Sequence, residues 1–129
     1  MMVNKMKCTE NQVKNAISDY LAIMRIHCWR QNSGGYGGEY KKKDGTKKKR
    51  FFWFMQWLWP RKDEGLIFLD IGGILPDGRY FEVEVKATGK EPTEAQYYTI
   101  AYIKTSTNAV ALWADSVDMF IEKWRNIKQ

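Results

Sequence analysis

The chain has 129 residues, about the length of one domain, and its 44% apolar content is near the globular average. These values predict one packed domain over 1–129 and exclude a disordered tail. No apolar run approaches the roughly 20 residues that a membrane-spanning helix requires. The segment 1–7 leads into polar sequence, unlike a signal peptide. We therefore expect a soluble, cytoplasmic protein that has no membrane partner.

The sequence holds two cysteines, Cys8 and Cys28, and one histidine, His27, with no CxxC motif. This excludes zinc fingers and histidine-rich metal sites, so any metal must be held by carboxylates. A covalent mechanism would depend on His27, and neither it nor the adjacent Cys28 is flanked by the glycines of a nucleophile elbow. Covalent catalysis is therefore disfavoured.

In chain order, the first predicted element is a helix over 10–25. The segment 9–12 (TENQ) fits a capping box. The apolar residues that follow have the spacing of one helix face: Val13, Ala16, Ile17, Tyr20, Leu21 and Met24. β-favouring residues predict a strand over 26–32, and the glycine-rich segment 33–38 predicts a flexible loop after it.

The segment 41–50 (KKKDGTKKKR), the basic decad, has the highest charge density of the chain. It holds seven of the 21 basic residues and one of the 15 acidic residues, so the rest of the chain is neutral and the decad carries the net charge of +6. This charge favours a polyanionic partner, because neutralised phosphates release condensed counterions. The alternative is a solvated loop that keeps the protein soluble.

The segment 51–59 (FFWFMQWLW), the aromatic run, holds one polar residue, Gln56, and is followed by Pro60. It is too short to span a membrane. Three interpretations stay open: a strand buried on both faces, a dimer contact, and a platform on which unpaired bases stack.

The remaining elements predict a mixed α/β core. Two β-rich segments, 66–75 and 80–86, flank Pro76-Asp77-Gly78-Arg79 and predict a hairpin. A helix is predicted from the capping box at Thr93 to about Lys104, a strand over 109–113, and a last helix capped by Ser116. The order is α-β-β-β-α-β-α, a mixed sheet flanked by helices, with a basic and aromatic insertion at about 34–64.

The hairpin register follows from its turn. A three-residue loop ending at Gly78 pairs Leu75 with Arg79, which places Asp70 opposite Glu84 and Gly72 opposite Glu82. Carboxylates directly opposed at about 5 Å repel each other, and a divalent cation is the simplest reason for two to share a site. Oxygen ligands suit Mg²⁺ or Mn²⁺. The alternative is a solvent-exposed sheet face with alternating charges.

Three further polar residues belong to this prediction. Lys86 lies on the same face as Glu84, where its ammonium would act on an attacking water or on the scissile phosphate. Glu10 continues the apolar face of the first helix, so it either joins the site or only interacts favourably with the helix N-terminus. Gln96 is either the capping partner of Thr93 or a site residue.

These residues resemble the PD-(D/E)XK nuclease superfamily, with Asp70 as the lone acid and Glu84-Val85-Lys86 as its E-x-K. Within it the chain is most similar to the virus-type replication-repair nuclease (VRR-NUC) family. The matching stretches are Glu10, Arg30-Gln31-Asn32-Ser33-Gly34, Asp70-Ile71-Gly72-Gly73, Glu84-Val85-Lys86, Gly89-Lys90 and Gln96. Leu69 stands where the family often has proline.

The resemblance implies a PD-(D/E)XK core and a Mg²⁺- or Mn²⁺-dependent nuclease. Asp70, Glu84 and the Val85 carbonyl would bind the metal, with Glu10 as a further candidate ligand. Lys86 would serve the attacking water, and Glu10 and Gln96 would complete the catalytic site. Stand-alone members from phages and bacteria resemble Holliday-junction resolvases and act as homodimers, which implies host cytoplasm for a phage-encoded chain.

The resulting prediction is a structure-selective DNA endonuclease of repair, recombination or phage replication, acting on branched DNA without an organic cofactor. The alternatives are a non-catalytic nucleic-acid-binding module on a nuclease-like fold and a protein-interaction module built on the aromatic run. The residues expected to contact DNA are Arg30, Asn32, Ser33, Lys41, Lys42, Lys43, Lys47, Lys48, Lys49, Arg50 and Lys90.

Overall fold

The computed structural model describes residues 6–31, 34–61 and 64–128, and for 34–41 and 48–54 it describes the backbone. Within these ranges the chain forms three helices and six strands. In chain order they are α1 (Glu10–Ile23), β1 (His27–Arg30), β2 (Gly34–Lys41), β3 (Lys47–Phe54), β4 (Ile71–Ile74), β5 (Tyr80–Val85), α2 (Glu94–Ser106), β6 (Val110–Ala114) and α3 (Val117–Arg125).

Four strands form a mixed sheet in the order β1-β4-β5-β6, in which β5 and β6 are parallel and the other neighbours are antiparallel. Helices α1 and α3 pack on one face of this sheet, and α2 packs on the other. The predicted α/β class, a mixed sheet flanked by helices, is confirmed.

The larger core lies between the sheet and helices α1 and α3. Val13, Ile17 and Leu21 of α1 are buried at the predicted helical spacing. They belong to one cluster with strand residues such as Phe81 and Val83, which are fully buried. A smaller cluster on the other face packs α2 against β6 and holds α2 on that face of the sheet.

The predicted hairpin register is confirmed by the pairing of β4 with β5. Ile71 pairs with Val83, Gly72 with Glu82, and Gly73 with Phe81. Gly78 has a φ of 91°, the left-handed conformation that the turn requires. The local chemistry of Pro76-Asp77-Gly78 is therefore sufficient to set the register of these strands.

One prediction for the insertion is wrong, and one of the three interpretations of the aromatic run is excluded. The glycine-rich segment is not a flexible loop, because 34–41 forms β2 and pairs with β3 in a separate two-stranded sheet. The aromatic run is not one buried strand, because β3 ends at Phe54 and the side chains of Leu58 and Trp59 are 91% and 77% exposed. The basic decad spans the turn of this hairpin and the strand residues beside it.

Some predicted boundaries are also wrong. The strand predicted over 66–75 is confined to β4, because the preceding backbone bonds to side chains: Ile67 N–H donates to Thr99 Oγ1, and Ile67 C=O accepts from Trp57 Nε1. Helix α1 ends at Ile23. Arg25 has a φ of 56°, a left-handed conformation that is incompatible with a right-handed helix. Among the described residues, no helix combines the length and apolar character needed to cross a bilayer.

Candidate active site

Asp70 and Glu84 are neighbours in the hairpin. Asp70 immediately precedes β4, and Glu84 lies near the end of β5. Asp70 Oδ2 accepts a hydrogen bond from Val85 N–H at 2.9 Å. The Asp70 carbonyl accepts from Gln31 N–H at 2.7 Å. The side chain of Asp70 is 24% exposed and that of Glu84 is 5% exposed. The hairpin thus presents one accessible and one nearly buried carboxylate.

A lysine accompanies each carboxylate. Lys86 Nζ lies 3.6 Å from Glu84 Oε1, and Lys14 Nζ lies 3.7 Å from Asp70 Oδ1. Lys14 also lies 4.0 Å from Glu10 Oε2, so it stands between Glu10 and Asp70. The first turns of α1 therefore bring one acid and one base to the hairpin, with Glu10 on the outer side.

Gln96 makes both contacts that the sequence offered as alternatives. Its Oε1 accepts from Thr93 N–H at 2.8 Å, which completes the capping box of α2. Its Nε2 donates to Glu84 Oε1 at 2.8 Å. The cap fixes the Gln96 side chain at the N-terminus of α2. Its NH₂ group, which the cap does not use, then holds Glu84 in place.

The electrostatics of the pair disfavour two bare negative charges. Burial, and next the negative charge of Asp70, raise the pKa of Glu84 to about 8, although Lys86 acts in the opposite direction. In the absence of further positive charge, burial and the nearby Asp70 therefore favour the protonated form of Glu84. A cation beside the pair would displace that proton.

The donor set fits a divalent cation held by few protein ligands. Among the described residues no group of three His, Cys, Asp or Glu side chains is placed to hold a metal. Mg²⁺ commonly uses one or two carboxylates and completes its shell with water and substrate phosphate. Asp70 and Glu84 supply that number. Lys14 lies between Glu10 and Asp70, so Glu10 as a further ligand stays a prediction.

The N-terminus of α1 is held against the site by a clamp around Thr88. Thr88 N–H donates to Cys8 C=O, and Cys8 N–H donates to Thr88 Oγ1, both at 3.0 Å. Thr88 Oγ1 donates in turn to the Asp115 carbonyl at 3.1 Å. The loop that follows Lys86 thereby fixes the segment that precedes Glu10.

A buried polar cluster supports Asp70 from behind. Gln31 Nε2 donates to Glu82 Oε1 at 2.9 Å and to the Leu69 carbonyl at 3.2 Å. Tyr80 Oη donates to Glu82 Oε1 at 2.8 Å. Glu82 is fully buried, and this burial raises its pKa. Gln31 therefore bonds to the backbone carbonyls of Leu69 and Asp70, the two residues that precede β4.

The residues expected to contact DNA belong to several different elements. Arg30 donates to Asn15 Oδ1 at 2.7 Å, and Lys90 is exposed in the turn after Lys86. Lys42, Lys43 and Lys47 are exposed at the tip of the β2–β3 hairpin. The backbones of Lys41, Lys48, Lys49 and Arg50 lie in that hairpin, whereas Asn32 and Ser33 lie outside the described residues.

Sequence reasoning missed three of these groups. Lys14 carries a usable signal, because it follows Glu10 by four residues and therefore shares its helix face. Gln31 lies inside the stretch Arg30-Gln31-Asn32-Ser33-Gly34, at a position to which the resemblance assigns no role. Thr88 contacts Cys8 across 80 residues, and no local pattern predicts that contact.

Comparisons with known proteins assign no relative to this arrangement. No family model matches the sequence, and neither a curated protein nor a solved structure matches the chain significantly. The observed fold and site geometry are therefore the basis on which a function is assigned.

Proposed function

We propose that this protein is a divalent-metal-dependent endonuclease of the PD-(D/E)XK type, similar to the VRR-NUC family, that hydrolyses DNA phosphodiester bonds. One observation carries the proposal: Asp70, Glu84, Lys86 and Gln96 converge on one end of the sheet. They come from the hairpin and from a separate helix. A merely solvated sheet face would not bury Glu84 or orient it with an amide.

Asp70, Glu84 and the Val85 carbonyl are the groups that would hold the metal. Val85 N–H points to Asp70, and in an extended strand the carbonyl of the same residue points to the same side. When bound, Mg²⁺ or Mn²⁺ neutralises charge on the phosphate and lowers the pKa of a coordinated water.

The side chains of this protein would then act on water and phosphate. Lys86, 3.6 Å from Glu84, would orient the attacking water and help to deprotonate it. Gln96 keeps the Glu84 carboxylate oriented through its 2.8 Å hydrogen bond. Lys14 would stabilise the negative charge that develops on the phosphate, since it is the cation beside Asp70.

We propose branched DNA as the substrate and a homodimer as the acting form, in the cytoplasm of the cell that makes the protein or of the host if the gene is phage-borne. The exposed lysines of the hairpin tip support a polyanionic partner, since contacts of lysine with phosphate do not depend on the base sequence.

The test is a cleavage assay on labelled four-way junction, flap, duplex and single strand, with Mg²⁺, Mn²⁺ or EDTA. We expect metal-dependent cleavage by the wild type. Lys86→Ala and Asp70→Asn should lower the rate by about 10²-fold or more, the loss typical of a removed electrostatic stabiliser. Arg125→Ala, on an exposed position of α3, is the matched control and should cleave normally.

A second candidate, a nucleic-acid-binding module without catalysis, is favoured by the placement of Lys14 and Lys86. The two ammonium groups lie within 3.7 Å of the two carboxyl groups, so the site holds positive charge without a metal. Wild-type protein that binds these DNAs but cleaves none in Mg²⁺ or Mn²⁺ would establish this function and refute the nuclease.

A further inference from the structure

A cleft of about 630 Å³ opens between α2, β6 and the end of α3. Its apolar lining includes Ile100, Leu112 and Trp113, and three lysines also line it: Lys104, Lys123 and Lys128. The volume is within the roughly 300–1,000 Å³ of pockets that hold small molecules. A concave surface that is apolar and cationic suits a ligand with a flat apolar body and a negative charge.

The positive charge of this cleft is not paired with acids. Among the described residues, none of the three lysines lies within 4.0 Å of a carboxylate, and Asp115 and Glu122 act on Lys123 from farther away. Lys123 Nζ donates to the Trp113 carbonyl at 2.7 Å and lies 4.3 Å from the centre of the Trp113 ring.

Lys123 is held where its charge is unfavourable. Its burial, and next the neighbouring charge of Lys104, lower its pKa. An anion between the two ammonium groups would relieve this repulsion. The charge of the cleft is therefore complementary to a phosphate.

The cleft begins beside the candidate active site. Trp113 is the register partner of Glu84 in the parallel pair of β5 and β6, so both lie on the same face of the sheet. Tyr97 follows Gln96 in α2 and lies edge-on to Trp113, with ring centres 6.2 Å apart. From these residues the cleft runs along β6 towards Lys104 and Ala109.

We propose that this cleft binds unpaired nucleotides of the DNA strand that continues from the scissile phosphate, with bases on the apolar lining and phosphates at Lys104 and Lys123. The inference rests on the proposed nuclease function and specifies its substrate class. Sites for single-stranded nucleic acid combine a cationic groove with aromatic side chains, because every unpaired base offers an apolar face. Paired bases of a continuous duplex offer none.

The test compares binding of a single strand, a flap and a continuous duplex in EDTA by fluorescence anisotropy over a range of salt. The variants are Lys104→Ala, Lys123→Ala and their double, with Arg125→Ala of the same helix as the control that removes one charge outside the cleft. For the single strand, the slope of log affinity against log salt should fall by about 0.7 for each lysine removed.

We expect the double variant to weaken binding of the flap and the single strand while duplex binding changes no more than in Arg125→Ala. Lys123→Arg, which keeps the charge, should retain wild-type affinity. Thermal unfolding of Lys123→Ala checks that loss of the Lys123 hydrogen bond to the Trp113 carbonyl has not changed the fold. Photo-cross-linking with 4-thiothymidine next to the scissile phosphate should label peptides that contain Tyr97 or Trp113.

The outcomes separate the two proposals. Wild-type protein that neither binds nor cleaves any of these DNAs refutes the nuclease function and this inference with it. Cleavage that is retained while both lysine variants bind like Arg125→Ala overturns the inference alone. So does a double variant that only converts a dimer into a monomer in light scattering, because a second copy would then occupy the cleft.

Discussion

At the scale of single residues, the candidate site places one lysine beside each carboxyl group. Asp70 and Glu84 each face one lysine within 3.7 Å. Lys86 follows Glu84 by two residues, whereas Lys14 comes from α1, so the charge of Lys14 reaches Asp70 only when helix and sheet are packed. The position of α1 is therefore as important for the site as the motif residues themselves.

Thr88 should prove essential to that position. Thr88→Val removes the oxygen that bonds Cys8 N–H and the donor to the Asp115 carbonyl, and leaving such groups unpaired costs about 1–3 kcal/mol. We expect the free energy of unfolding to fall by about that amount in urea denaturation, and amide exchange in the first turn of α1 to accelerate. Thr88→Ser keeps the hydroxyl and should match the wild type. Equal stability of the Val and Ser variants would contradict the clamp.

At the scale of elements, the hairpin of β4 and β5 sets the geometry of the site. Strand β4 approaches β1 closely because Gly72 and Gly73 carry no side chains: a Cβ on Gly73 would overlap the Phe81 ring and the His27 carbonyl oxygen. This close approach keeps β1 in place and lets Gln31, just beyond it, reach Asp70 and Glu82.

Gly73→Ala should therefore be more damaging than an alanine at the turn. We expect it to lower the free energy of unfolding by the upper part of the roughly 1–3 kcal/mol that overpacking costs. Gly78→Ala is the control: its φ of 91° is strained for alanine, at about 1–2 kcal/mol, but a Cβ there meets no atom within 4 Å. Chemical denaturation of both variants measures the difference, and a smaller loss for Gly73→Ala would contradict the packing.

The elements also show how far the sequence alone leads. The β4–β5 register was predictable because Pro76, Asp77 and Gly78 encode a turn within a few residues. The pairing of Asp70 with Glu84 followed from it. The β2–β3 hairpin was missed because its first strand is rich in glycine, which has low strand propensity and gives no alternating pattern.

Other features required contacts between distant residues. Trp57 lies in an aromatic run that periodicity assigns to a strand, yet its ring stacks on Phe68 and its Nε1 bonds Ile67. The cleft beside β6 is formed by two helices that the sequence predicts separately. Its three lysines are spread over 104–128, and only the fold brings them together.

At the scale of the whole molecule, positive charge is concentrated at the end of one hairpin. The basic decad carries the net charge, and Lys42, Lys43 and Lys47 are exposed at its turn. This hairpin belongs to a separate two-stranded sheet. The four-stranded sheet and its helices can therefore stay folded when the charge of the hairpin changes.

Replacing Lys42, Lys43 and Lys47 together by Gln should weaken DNA binding without unfolding the protein. For duplex DNA, we expect the slope of log affinity against log salt to fall by about 0.9 for each phosphate that the variant no longer neutralises. Anisotropy titrations between low and high salt measure the slope, and thermal unfolding checks the fold. The triple Lys→Arg variant keeps the charge and should bind like the wild type. An unchanged slope in the Gln variant would contradict a role for the tip in binding phosphate.

The hydrogen bond from Gln31 N–H to the Asp70 carbonyl, at 2.7 Å, joins the two ends of the insertion. The segment 32–69 therefore leaves the sheet and returns to it at the same point. Since its ends are already closed, changes in its length add little entropic cost to folding. The last part of the insertion is held on α2 before it reaches Asp70, since Ile67 N–H donates to Thr99 Oγ1, so a change in the hairpin is absorbed before the residue that is proposed to hold the metal.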